Sequence, residues 1–316
     1  MSAFHPLPPA SRPRCRFLLP LVALSFFGFL PACVDADTLR LKSGETVAGT
    51  VQGFDGDKVT VALRLDSGNA TAPYPLALID SVTLEPTPAE EALLNGTASI
   101  PDPSAWRAFW ERRAPFLRLP GSDSGRVGLG WAQLLLESDP AQAGTVAAAI
   151  AAGDWNQARR EQAKALGAAA LLAQGKETDA ATAAQALLAN VTDPTARVDA
   201  RFILGKIAAA QWNAFAAAHP QWRTAPAQTA AQNALADRAL DALAAAPVFL
   251  PGDAARAGRG LLAAAQAAAA MDRSREAATL LDDLLESFPT APQITEAKAL
   301  RQRLDATGLF TAAPSS

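Results

Sequence analysis

Ser274-Arg275-Glu276-Ala277-Ala278-Thr279-Leu280-Leu281-Asp282-Asp283-Leu284-Leu285-Glu286-Ser287-Phe288 decides how most of this chain is read. Ala277, Leu280, Leu281, Leu284, Leu285 and Phe288 share one helical face, and Asp282, Asp283 and Glu286 fall away from it onto a solvated one. Pro289 and Pro292 close the segment, and an alanine-rich stretch containing Ala263 to Ala265 and Ala267 to Ala270 precedes it. A helix with a single apolar stripe has to lie against a neighbour, so this reads as the second helix of an antiparallel hairpin. Working outward, Asp179-Ala180-Ala181-Thr182 with Leu187-Leu188 repeats Glu276-Ala277-Ala278-Thr279 with Leu284-Leu285. Both follow a long alanine-rich run and a tight turn.

Helical periodicity predicts helices at about 126–138, 141–152, 155–174, 177–190, 195–218, 228–245, 254–271, 274–288 and 293–306. They are separated by Asp139-Pro140, Gly153, Gly175, Asp193-Pro194, His219-Pro220, Pro247, Pro251-Gly252 and the pair Pro289 and Pro292. An earlier helix carries Trp106, Phe109 and Trp110, with Ser104 as its expected N-cap. Short helices joined by short turns predict antiparallel hairpins stacked in sequence over 104–308, a mainly α fold. Alanine suits such an array, because it favours helix and lets axes approach closely.

Ahead of the helices the period is two. Leu39 and Leu41 alternate with polar residues before a turn at Lys42-Ser43-Gly44-Glu45, and Val47, Gly49 and Val51 lead to Phe54 and the hairpin signal Asp55-Gly56-Asp57. Val59, Val61, Leu63 and Leu65 follow, then Asp66-Ser67-Gly68-Asn69. Thr71 to Leu76 is expected at an edge because of Pro73 and Pro75, and Ser81 to Leu84 supplies a fifth strand. Five short strands over 37–85 predict a small five-stranded β-barrel, followed by a proline-containing linker at 86–103.

Two resemblances follow from these residues. The pattern Leu39-x-Leu41-x-x-Gly44 with Val47-x-Gly49-x-Val51 is similar to the opening of Sm-like small barrels. The RNA binding common in that family is not carried over, since no basic or aromatic RNA-reading residues accompany the pattern. The helical hairpins resemble tetratricopeptide repeats: Ala265 and Ala277 stand at the family's small positions, and Pro289 at its closing proline. Ala168 and Ala180 fit the earlier unit, whose closing proline is displaced to Pro194. Ala268 replaces the usual late aromatic of the first helix, and Leu284 the small residue late in the second. Ala180 and Ala277 lie close to three standard periods of about 34 residues apart, but the intervening helices read as long, so the interval is taken as two irregular units. The resemblance implies a helical array that binds a protein or peptide partner.

The N-terminus reads as an export signal over 1–36. Arg12, Arg14 and Arg16 precede the apolar run Phe17 to Leu30, which is shorter than the ~20 residues of a membrane span. Cleavage after Ala36 gives a soluble product; Leu30-Pro31-Ala32-Cys33 resembles a lipobox and makes Cys33 the alternative lipidation site. Both readings predict a periplasmic or outer-membrane-associated protein without an integral span after processing. Cys15 and Cys33 both lie in this segment, so the remainder has neither disulfide nor thiol ligands. Net charge is −3 over 316 residues. Loss of three leader arginines makes the rest more acidic, the wrong sign for nucleic acid.

Signals of chemistry are sparse. His219 is the sole histidine outside the leader, which excludes the usual zinc sets, and it reads as a C-terminal cap. Gly121-Ser122-Asp123-Ser124-Gly125 lacks nucleophile-elbow spacing and reads as a flexible loop. Gly128 and Gly130 have no preceding strand, so no phosphate loop is expected. No catalytic residue, cofactor or metal is assigned. Trp106, Trp110, Trp131, Trp155, Trp212 and Trp222 read as filler at helix crossings, with Trp222 the first choice for a groove anchor. Arg201 and Lys206, with His219 near Trp222, complete the partner-binding candidates. The residues 309–316 are expected to be a disordered tail. The function expected is an exported envelope protein-interaction module. An envelope enzyme acting on glycan through acidic residues, or a purely structural spacer, are the alternatives.

Overall fold

The computed structural model describes residues 36–65, 68–95 and 102–306. The segment read as an export signal, with Cys33, and the residues 309–316 read as a tail therefore lie outside the described residues. Five antiparallel strands come first: β1 (Asp37–Leu41), β2 (Thr46–Phe54), β3 (Lys58–Leu65), β4 (Gly68–Pro75) and β5 (Ile79–Thr83). Their order is β4-β3-β2-β1-β5. Alternation places Leu39, Val59, Val61 and Val82 on one buried face, and the register shift between Arg40 and Leu41 brings Ile79 onto it as well.

The sheet does not close, which corrects the barrel expectation. β4 stands at one edge, where Pro73 and Pro75 have no N–H to offer a further strand. β5 stands at the other, and its Val82 amide donates to the Pro120 carbonyl at 2.7 Å. The apolar face is covered instead by Phe116 and Leu119, from the segment that joins the helix ending at Arg113 to the one beginning at Ser124. Burial is met by a second layer, so curling has nothing left to gain.

Helices follow in the order α1 (Pro88–Leu94), α2 (Pro103–Arg113), α3 (Ser124–Ser138), α4 (Pro140–Gly153), α5 (Gln157–Ala173), α6 (Glu177–Leu188) and α7 (Pro194–Ala218). After these come α8 (Pro226–Leu243), the single turn α9 (Ala246–Phe249), α10 (Ala254–Ala270), α11 (Ser274–Ser287) and α12 (Ile294–Ala306). α1 falls inside the segment read as linker, held by a capping box between Thr87 and Glu90. The N-cap of α2 is Asp102, not Ser104; its carboxylate accepts from the Ser104 amide at 2.9 Å. Arg113, buried at the end of α2, donates to the Leu84 and Glu85 carbonyls and so ties the sheet to the helices.

From α3 onward the helices pair as hairpins: α3 with α4, α5 with α6, α7 with α8, α10 with α11. Each hairpin also packs on the next, α4 against α5, α6 against α7, α8 against α10 and α11 against α12. The offset from Ala180 to Ala277 also carries the start and end of α5 onto those of α10. It carries the N-cap Asn156 onto Asp253, and Gly175 (φ 75°) onto Asp272 (φ 60°). Both turns use the same bonds, Lys176 N–H to the Leu171 carbonyl and Arg273 N–H to that of Ala268. Ala168, Ala180, Ala265 and Ala277 are all buried, where a larger side chain would force the axes apart.

One pair of equivalent positions differs instructively. Glu161 of α5 is 2 % exposed and accepts from the Thr192 and Asp193 amides, pinning the start of α7. Its counterpart is Gly258, where a Cβ would meet the Ala291 methyl and Gln293 Oε1, each at 2.6 Å. The earlier unit holds its following loop by charge, the later one by close approach.

Candidate functional site

Alternate helices of the array face a common groove of about 890 Å³. α3 and α5 give it an apolar wall, with Leu129, Leu136, Leu166 and Leu172. α7, α10 and α12 give it a polar one, with Asp199, Lys206, Arg256, Arg259 and Glu296. Helical spacing makes the polar wall. Asp199, Phe202, Ile203 and Lys206 stand at i, i+3, i+4 and i+7 of α7, while Arg256 and Arg259 stand at i and i+3 of α10.

The charged groups on this wall are pre-set. Arg259 donates to Asp199 at 2.5 Å and lies over the Phe202 ring, 4.5 Å from its centroid. Arg256 reaches Asp199 at 3.3 Å and Asp253 at 2.7 Å. Burial lowers the Arg256 pKa, but Asp199 and Asp253 more than offset this and leave it raised. Lys206 is exposed and has no ion-pair partner among the described residues. Glu137 on α3 stands equally unpaired across the groove, and Glu296 accepts from Gln266 at 2.9 Å.

Of the residues singled out from sequence, Lys206 lines this groove and the other three lie elsewhere. Arg201 stacks on Phe249, 4.8 Å from the ring centroid. His219 closes α7, its amide donating to Phe215 at 3.0 Å and its ring stacked on that of Phe215. Trp222, half-buried, packs edge-on against Trp212 at 6.1 Å, at the margin of the buried cluster that Trp212 forms with residues of α7 and α8. Sequence reasoning passed over Phe202, Asp199, Arg256 and Arg259, although the i, i+3 spacing of two arginines on an alanine-rich helix was there to be read.

The loop expected to be flexible at Gly121 to Gly125 is built in. Ser122 and Ser124 are buried, and their hydroxyls lie 2.6 Å apart. The Ser122 carbonyl accepts from Trp155 Nε1 at 2.8 Å and Arg159 at 2.9 Å. Asp154, buried beside it, holds Arg159 through both oxygens. Gly125 leaves the room that Asp154 needs, since a Cβ there would overlap its carboxylate. Gly128 and Gly130 do the same for the rings of Trp110 and Trp106.

A second groove, about 810 Å³, runs over the opposite side of α5 between α4 and α6, floored by Ala163, Gly167 and Ala168. Among the described residues no group of three or more His, Cys, Asp or Glu is placed to hold a metal ion. None of the described helices is long and apolar enough to cross a membrane. No protein-family model matches the chain, and no curated protein or solved structure is significantly similar to it.

Proposed function

We propose that this chain is an exported cell-envelope protein whose tetratricopeptide-like helical array binds a protein or peptide partner in the groove between α3, α5, α7, α10 and α12. The observation that carries the reading is the groove itself. Its lining comes from five separate helices, its apolar wall is suited to side chains of a partner, and its charged wall is organised before any ligand arrives. The repeated hairpin of α5–α6 and α10–α11 supports the tetratricopeptide-like assignment. The export leader supports the location, with release after Ala36 favoured over lipidation at Cys33.

Photo-crosslinking in cells tests it. A photoreactive side chain placed at Leu136 or Gln133 faces the groove, and one at Thr178 of α6 serves as control. A discrete crosslinked partner from the groove positions alone is expected. Identical patterns from groove and control positions would remove the assignment.

A further inference from the structure

We infer that the second groove, between α4 and α6, docks an amphipathic helix of a partner protein, one with leucines along a single stripe. This site is separate from the larger groove, which lies on the other side of α5. The two copies of the repeated hairpin differ at this face. In the earlier copy Lys164, Gly167, Leu171 and Gln174 of α5 line the open groove of about 810 Å³. The offset that carries α5 onto α10 carries them onto Leu261, Ala264, Ala268 and Met271, and all four of these are buried. A helix covers them. α8 packs on α10, and its Leu240 and Leu243 share one apolar cluster with Leu261, Ala264 and Ala268. Its Ala236 and Ala239 share another with Met271. Those four residues of α8 stand at i, i+3, i+4 and i+7, which is one stripe of a helix. The earlier unit thus presents uncovered the face that the later unit closes with a helix of its own.

The open face also has the make-up of a surface that is covered only part of the time. Its middle is Gly167 and Leu171, between alanines on the α4 and α6 banks such as Ala148 and Ala186. Its ends are Lys164 and Gln174, where the covered copy has Leu261 and Met271. An apolar centre with polar ends suits a partner that comes and goes, since the free face stays soluble. Lys164 to Gln174 spans about 15 Å of helix, enough to seat about three turns of a partner. Glu161 also lines the groove, but its carboxylate is taken up by Thr192, Asp193 and Gln157. Small side chains on the floor and banks let a second axis approach closely, so the partner has to bring the bulk.

The test uses the full chain and two fluorescein-labelled helical peptides of about 20 residues, read by fluorescence anisotropy. One carries leucines at i, i+3, i+4 and i+7, and the other has the same composition with the leucines scattered around the helix. The striped peptide should bind at least about tenfold more tightly. Gly167→Leu fills the floor, where a Cβ meets nothing within 4 Å, and should weaken the striped peptide about tenfold. Ala148→Leu combined with Ala186→Leu, at exposed sites on the two banks, should do the same without entering a core. Gln133→Trp, which obstructs the larger groove from an exposed site, should leave the striped peptide's affinity unchanged. Loss on Gln133→Trp but not on the other variants would place the helix in the larger groove and overturn the inference. Equal binding of the two peptides, or binding of neither, overturns it as well. Concentration-dependent dimerisation abolished by Gly167→Leu would give the groove to a second copy of the chain and also overturn it.

Discussion

Glu161→Gln isolates how one unit of the array is fastened to the next. The carboxylate accepts from the Asp193 amide at 2.7 Å, the Thr192 amide at 2.9 Å, the Thr192 hydroxyl at 3.1 Å and Gln157 at 2.7 Å. Glutamine keeps the shape but presents an NH₂ where one oxygen stood, so a buried amide meets another donor. Losing a charge-assisted bond costs about 1.5–3 kcal/mol, and the negative charge at the start of α7 adds about 0.3–1. A loss of about 3 kcal/mol is expected, read in urea melts as a midpoint lower by about 1 M. Burial pushes the Glu161 pKa up, but the Asp193 and Thr192 amides with Gln157 outweigh it and hold the group at about 2, below its ordinary 4.5. Because the folded pKa is depressed, the stabilisation is complete above 4.5 and is lost as pH falls towards 2. The gap between wild type and Glu161→Gln should therefore close across that window. A midpoint unchanged at neutral pH, or a gap that widens on acidification, would refute the pin.

Glycines on two helices should respond in opposite directions. Gly128→Ala gains about 1 kcal/mol of helix propensity, yet its Cβ would overlap the Trp110 ring and lie 2.7 Å from Ile150 Cδ1. Overpacking at about 1–3 kcal/mol wins, so its melting temperature should fall. Gly167→Ala has nothing within 4 Å of the new methyl and should raise it. Asp272→Gly relieves a positive φ of 60° and forfeits only the exposed pair with Arg223, so calorimetry should show a gain of about 0.5–1 kcal/mol.

The array was legible because its signals are local. Breaks at Asp139-Pro140, Asp193-Pro194 and Pro251-Gly252 placed most helix boundaries within two or three residues, since a proline fixes a first turn and a glycine ends a last one. The surroundings of Trp222 were not legible, for the opposite reason. Whether an aromatic anchors a groove or fills a core depends on Trp212, which reaches it through the packing of α7 against the following turn. The groove's charged wall was missed because Asp199 and Arg259 are distant in sequence and meet only once α7 and α10 are stacked.

The sequence by itself determined the five alternating strands, the helical hairpins, the duplicated unit and the small residues at their crossings. Periodicity and turn chemistry act over a few residues, so the chain carries them openly. The tertiary structure alone decided that the sheet stays open, because Phe116 and Leu119 arrive from the helical side to cover it. It also decided why α3 carries three glycines, each beneath a side chain from another element. Most of all, it decided which faces of α3, α5, α7, α10 and α12 share one groove. Those contacts join residues far apart in the chain, and burial chooses among the stackings that local periodicity leaves equal.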